Sequence, residues 1–397
     1  IAQFGMAVGA PLGGALADRV GRLPAVAVCY VTMIIGAVLM SLAAAFPLLL
    51  VGRIVEAIGM GSSLCVATTY MTEISPSAIR GQLPSLEEPL INVGYLIACL
   101  VSWAFASAPG GWRWMLGLGA ALPALMLLPV VLRLPPESPR FLLARGRAAE
   151  AAAELATLVD QREATETLSA WAADDPPPEA RWSQVLLAED PAVRRSLVAG
   201  VGVMCLQMLS GNSIVMVYPT EIMAQEMGTR AASLCTVLMA VSRLVAVLPI
   251  VFMIDHIGRR RLLLWSSVGV ALACCFTGWF YMAGTQLLPL KFCSFLLFSI
   301  CYCVGLGPVT WVYTGEVMDT SVRSKGMSLA MTTARLCGAG LLLVYPRISS
   351  CIGIGPFFLI LAALNFAGWG FMAVAVPETK GTTLEDMRKH FRGDRCR

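Results

Sequence analysis

Apolar stretches nearly as long as a bilayer is thick recur along this chain, separated by short runs of Gly, Pro and charged residues. They predict membrane-crossing helices over residues 1–17, 24–44, 48–71, 85–105, 113–134, 196–220, 231–254, 262–283, 291–314, 326–346 and 353–376. A helix that crosses the hydrocarbon core needs about 20 mostly apolar residues, and these runs reach or approach that length. The stretch 136–193 differs in kind: it is Ala-rich with interspersed Glu and Arg, and is broken by an acidic proline run from Asp174 to Glu179. It predicts short helices at a bundle junction, with a loose linker as the alternative, since Pro-rich acidic segments bury too little apolar surface to fold alone.

Composition supports this reading. Of 397 residues, 57% are hydrophobic and 14% charged, against about 25% charged in an average soluble domain. The 13 cysteines form no CxxC pair and no cysteine–histidine spacing, so neither a metal site nor a disulfide framework is predicted. His256 and His390 lie in charged segments, which argues against a histidine proton relay in the membrane. No nucleophile–base pair or ligand cluster marks a catalytic site, so no enzyme, cofactor or nucleic-acid partner is predicted. The expected partners are the lipid bilayer and a small solute.

The net charge of +4 is less informative than its distribution. Sorting cations by alternate sides of the spans collects Arg19, Arg22, Arg80, Arg140, Arg194, Arg195, Arg259, Arg260, Arg261, Arg323 and Lys325 on one side. Arg113, Arg230, Lys291 and Arg347 fall on the other. By the positive-inside rule the crowded side is cytoplasmic, which puts the C-terminus there. The chain begins at Ile1 inside an apolar run, so one further helix is expected upstream.

The sequence also repeats itself. Asp18-x-x-Gly21-Arg22 returns as Asp255-x-x-Gly258-Arg259 at an offset of 237 residues; Glu73 and Arg80 return as Glu316 and Arg323 at 243; Pro136-Glu137-Ser138 returns as Pro377-Glu378-Thr379 at 241. Three pairs in order at nearly constant offset indicate a duplication, and all six sites fall on the predicted cytoplasmic side. That is a parallel repeat of helix bundles, with a solute site expected between them near the midplane. The predicted domains are an N-terminal bundle over 1–135, a cytoplasmic linker over 136–193, a C-terminal bundle over 194–377 and a tail over 378–397.

These residues resemble the sugar porters of the major facilitator superfamily, of the facilitative glucose transporter type. The resemblance rests on Gly14-x-x-x-Asp18-Arg19-x-Gly21-Arg22, Gly52-Arg53, Tyr70-x-x-Glu73-x-x-Pro76, Arg80-Gly81, Pro136-Glu137-Ser138-Pro139-Arg140, Asp255-x-x-Gly258-Arg259-Arg260, Gly307-Pro308-x-x-Trp311 and Pro377-Glu378-Thr379-Lys380-Gly381. The run Arg140 to Arg147, with Thr310 before Trp311, is most similar to the class III members. The resemblance implies an all-α major facilitator fold of twelve spans, eleven of them visible here. It implies facilitative transport of a hexose by alternating access. Asp18, Arg22, Glu73, Arg80, Asp255, Arg259, Glu316 and Arg323 would form an inner gate. A class III likeness suits an endolysosomal membrane as readily as the plasma membrane.

Depth along the helices selects candidate ligands. Glu88 lies eight residues past Arg80, about 12 Å in; Gln207, Arg243 and Arg335 each lie twelve residues from the nearest inner charge, about 18 Å in. Polar groups at such depth mark a solute path or a buried pair. Gln207, Ser210, Asn212 and Ser213 supply donors and acceptors for a sugar, Trp311 and Tyr218 an aromatic face, and Glu88 and Arg335 complete the candidate set. Against the family pattern, the second span-seven glutamine is Met208, the following asparagine is Ser213, the span-five glutamine is Glu88, and the span-eleven Asn-Trp pair reads Ala334-Arg335. These departures leave a charged solute or proton coupling as open alternatives, and a non-transporting sugar sensor or an inactive truncated carrier is a third.

Overall fold

The computed structural model describes residues 1–74, 86–158, 164, 185, 190–284, 288–318, 322–381 and 391, and at Thr72, Asp255, Arg323 and Ser324 it describes the backbone alone. Arg80 and the acidic proline run at 174–179 therefore lie outside the described residues. The long elements are all helices: α1 (Ala2–Val20), α2 (Arg22–Ser41), α3 (Phe46–Ile74), α4 (Glu87–Phe105), α5 (Gly111–Leu118), α6 (Ala121–Val131), α7 (Pro139–Ala144) and α8 (Ala148–Leu155). After the linker come α9 (Pro191–Gln207), a π turn (Met208–Asn212), α10 (Ser213–Val217), α11 (Pro219–Met227), α12 (Thr229–Ile257) and α13 (Arg259–Met282). The last are α14 (Leu288–Val304), α15 (Pro308–Val317), α16 (Arg323–Ile352) and α17 (Ile354–Ala375).

Among the described residues, ten stretches are long and apolar enough to cross a membrane, from Arg22–Ser41 to Ile354–Ala375. They match the expected spans from 24–44 onward. The first expected span is α1, which is not among the ten. Its stripe of Gly5, Gly9 and Gly13 faces α3: a Cβ on Gly9 would stand 2.2 Å from Ile58 O, and the Ser62 hydroxyl donates to Gly9 O at 2.8 Å. Small residues at this spacing let helix backbones touch in an apolar medium, and they lower the hydropathy of the helix that carries them.

The chain forms two compact units, Ile1–Pro84 with Gly110–Glu179, and Ser85–Pro109 with Ala180–Arg397. The expected boundary after residue 135 does not coincide with this grouping, because α4 belongs to the second unit. Asn92 of α4 accepts a hydrogen bond from Arg243 of α12, the Tyr95 hydroxyl donates to Met216 O, and Cys99 packs with Val237 and Ala240. Of the expected junction helices, α7 and α8 are described. Ser138 caps α7 by accepting from Phe141 N at 3.2 Å, with Pro139 at the first helical position, where a missing N–H costs nothing.

Candidate functional site

Each unit closes its inner charged motif on the same plan. In the first, Arg22 donates in a fork to Glu73, Nε to Oε2 at 3.0 Å and Nη2 to Oε1 at 2.8 Å, and its Nη1 reaches Asp18 at 2.8 Å. Glu137 accepts from Arg22 N and Leu23 N, capping α2. In the second, Arg259 donates to Glu316 at 3.1 and 2.9 Å, and Glu378 caps α13 by accepting from Arg259 N at 2.8 Å and Arg260 N at 3.2 Å. Gly21 and Gly258 turn the chain at φ of +108° and +99°, and a Cβ at either would meet the capping carboxylate within 3 Å, so both close approach and backbone favour glycine. The duplicated motif is thus a duplicated fork and cap. Of the eight residues expected at a gate, Asp18, Arg22, Glu73, Arg259 and Glu316 are brought together within their own units, while Arg80 and the side chains of Asp255 and Arg323 lie outside what is described.

The deep candidates gather around two interruptions in the second unit. The first is the π turn at Met208–Asn212, where Gly211 adopts φ +96°. The widened turn leaves Ser210 O for Asn365 Nδ2, which donates to it at 3.0 Å. The second is the break between α14 and α15. Gly305 lies so close to α13 that a Cβ would come within 2.2 Å of Leu262 O. Ser266 secures the break, donating to Cys301 O at 2.7 Å and accepting from Leu306 N at 2.9 Å. π turns and broken helices concentrate where a membrane protein handles its solute.

Gln207 joins the two interruptions. It is 1% exposed, and its Nε2 donates to Leu306 O at 2.9 Å and Gly307 O at 3.1 Å. Its Oε1 is buried without a hydrogen bond, and Trp311 Nε1 on α15 is buried facing the Glu88 carboxylate. Glu88 of α4 meets the same break: a Cβ on Gly307 would stand 3.0 Å from its Oε1. Gln207, Glu88 and Trp311 therefore share one locus. Ser210 donates its hydroxyl to Gln207 O, Asn212 Oδ1 accepts from Arg243, and Ser213 faces Gly338 of α16. Arg335 stands within electrostatic range of Tyr302, Glu87 and Glu88. Tyr218 lies apart from the locus at the far end of α10, its ring 4.7 Å from Tyr345 in a cluster continued by Phe357, Phe358 and Phe295.

Three residues outside the candidate ligand set join the locus. Arg243 is 2% exposed, donates from Nε to Asn92 Oδ1 and from Nη1 to Asn212 Oδ1, both at 2.9 Å, and lies over the Tyr302 ring at 5.1 Å. Glu87 is buried with both carboxylate oxygens free of hydrogen bonds. Tyr302 packs beside Gly307. The signal for Arg243 was present as a cation deep in a span. Glu87 gave none that set it apart from its neighbour.

The family profile described as "Sugar (and other) transporter" matches residues 1–391. "Probable polyol transporter 6" of Arabidopsis thaliana is 31% identical over 98% of this chain and 84% of its own length. "Probable metabolite transport protein CsbC" of Bacillus subtilis is 30% identical over 97% of this chain and 83% of its own. Among solved structures, the xylose transporter XylE from E. coli, in a partially occluded inward-open conformation, superposes with a TM-score of 0.83 at 24% identity, covering 96% of this chain and 87% of that one.

Proposed function

The chain belongs to the sugar transporter family of the major facilitator superfamily, and from that premise we propose that it carries a neutral polyhydroxylated solute, a polyol or a sugar, by facilitative alternating access. One observation carries the reading. Gln207 Oε1, an acceptor, is buried and unpartnered beside the helix break that Trp311 and Glu88 also face. A buried polar atom without a partner calls for an explanation, and the hydroxyl of a solute, which donates, satisfies it. The curated polyol transporters and the xylose transporter among the relatives support that cargo class. The glucose-like hexose expected from sequence is one member of it. The inner forks would act as the gate, and the C-terminus would face the cytoplasm.

The test is equilibrium exchange of labelled sorbitol, xylose and glucose into proteoliposomes holding this chain. Saturable, sodium-independent exchange of at least one is expected, with KM raised by Trp311→Phe, which keeps the ring and removes the donor. Binding without exchange would leave a sensor, and equal kinetics in the variant would remove Trp311 from the site.

A second reading, proton-coupled transport, is favoured by Glu87, whose carboxylate oxygens are buried and unpartnered, and by the neighbour titled a proton:xylose symporter. Accumulation driven by a pH gradient separates it from the first.

A further inference from the structure

The guanidinium of Arg243 is held rigidly and used incompletely. Burying a cation inside a membrane is tolerated where it is paired and hydrogen-bonded. Here Nε and Nη1 are each taken by a neutral amide oxygen, Asn92 Oδ1 and Asn212 Oδ1, and the Tyr302 and Tyr95 rings stand at 5.1 and 6.0 Å. Asn92 is fixed in turn, donating from Nδ2 to Glu88 O at 2.8 Å. The third nitrogen, Nη2, makes no hydrogen bond among the described residues, and Glu88 Oε1 stands 3.9 Å from it. A direct arginine–carboxylate bond closes to about 2.7–2.9 Å, so this pair stops short of one. Glu88 Oε1 receives a long contact of 3.4 Å from Asn92 Nδ2, and the carboxylate also faces the Trp311 indole.

A donor and an acceptor facing each other across such a gap fit one chemical group above others. A hydroxyl oxygen placed about 2.8 Å from both accepts from the guanidinium and donates to the carboxylate at once. A carboxylate in the same place would pair with Arg243 but confront Glu88. Glu88 also rests on Gly307, whose carbonyl Gln207 holds, so the gap adjoins the unpartnered Gln207 Oε1.

We propose that Arg243 Nη2 and Glu88 form a hydroxyl-bridging subsite for a neutral polyol or sugar, with Asn92 and Asn212 as the positioning residues that aim the guanidinium. The subsite rests on the polyhydroxylated-cargo reading and adds to it a reason for rejecting sugar acids.

The test uses the full chain in proteoliposomes and equilibrium exchange of sorbitol, the series of sorbitols lacking one hydroxyl, and gluconate. Wild type is expected to exchange sorbitol, to exclude gluconate, and to lose about tenfold in kcat/KM for at least one deoxy probe, the scale of a hydrogen bond to a charged group. Glu88→Gln is expected to raise KM for sorbitol by a larger factor than it lowers kcat, to abolish that deoxy penalty and to admit gluconate. If Glu88→Gln does not fold, the deoxy series on wild type decides. A merely structural pair would lower the yield of folded carrier and leave KM and the sorbitol-to-gluconate preference unchanged; that result, or deoxy probes that all exchange as sorbitol does, overturns the subsite. A wild type that exchanges neither sorbitol nor xylose overturns the cargo reading and the subsite with it.

Discussion

Gln207 offers the sharpest separation of a binding role from a bracing one, because its two amide ends face different things. Nε2 donates to the Leu306 and Gly307 carbonyls while Oε1 has no partner. Replacing it by Leu keeps most of the volume and removes two hydrogen bonds, each contributing about 1 kcal/mol. Leu306 O retains the Thr310 hydroxyl at 2.8 Å, so the loss is held to about 2 kcal/mol. Gln207→Glu is expected to be worse. It sets carboxylate oxygens against two carbonyls in a side chain 1% exposed, and an unpaired buried charge costs several kcal/mol. Even a protonated Glu has one donor for two acceptors. Thermal unfolding of the solubilised protein should therefore rank wild type above Gln207→Leu above Gln207→Glu. In exchange assays, losing the single free acceptor should raise KM about 2- to 12-fold, the range of one neutral hydrogen bond. A Glu variant more stable than the Leu variant would refute the placement of the donor end on the break. An unchanged KM with a lowered melting temperature would make Gln207 a brace only.

Two further predictions concern the frame. Gly61→Ala places a Cβ 2.2 Å from Met6 O, backbone against backbone, and should abolish folded carrier in size-exclusion profiles, whereas Gly94→Ala on α4, with nothing within 4 Å, should be neutral or raise the melting temperature through helix propensity. Glu378→Ala removes the acceptor of four backbone N–H groups, Arg259, Arg260, Thr379 and Lys380, and should destabilise by about 1–2 kcal/mol, as loss of a helix cap does; Glu137→Ala should match it in a melting assay, since it caps α2 in the same way.

Much of this architecture was legible in the sequence because bilayer thickness is a coarse ruler. Ten apolar runs match stretches long and apolar enough to cross a membrane, and the one before them forms the helix α1. The fork and cap of each half were visible as repeated Gly-Arg, Glu and Pro-Glu signals, since a turn glycine and its capping carboxylate are chemically distinctive. What escaped depends on partners far along the chain. The π turn is satisfied by Asn365, 155 residues from Ser210, and Arg243 finds Asn92 across 151 residues. That second bond also explains why α4 groups with the second unit, a preference that chain order conceals. Tyr218, chosen as an aromatic face for a sugar, packs on Tyr345, a contact that depth along a helix does not reveal.

The duplication and the candidate site do not share a symmetry. Forks and caps recur in both units at matching positions, so the inner motifs answer to a demand that both halves meet alike. The buried side-chain atoms without hydrogen bonds among the described residues, on Glu87, Gln207, Arg260, Ser299, Trp311 and Tyr313, all lie in the second unit. An orphaned polar atom costs about 1–3 kcal/mol, and several in one unit are tolerated where a ligand satisfies them for part of the working cycle. On the proposed reading the second unit supplies groups that would meet cargo, and the repeated forks supply mechanics common to both.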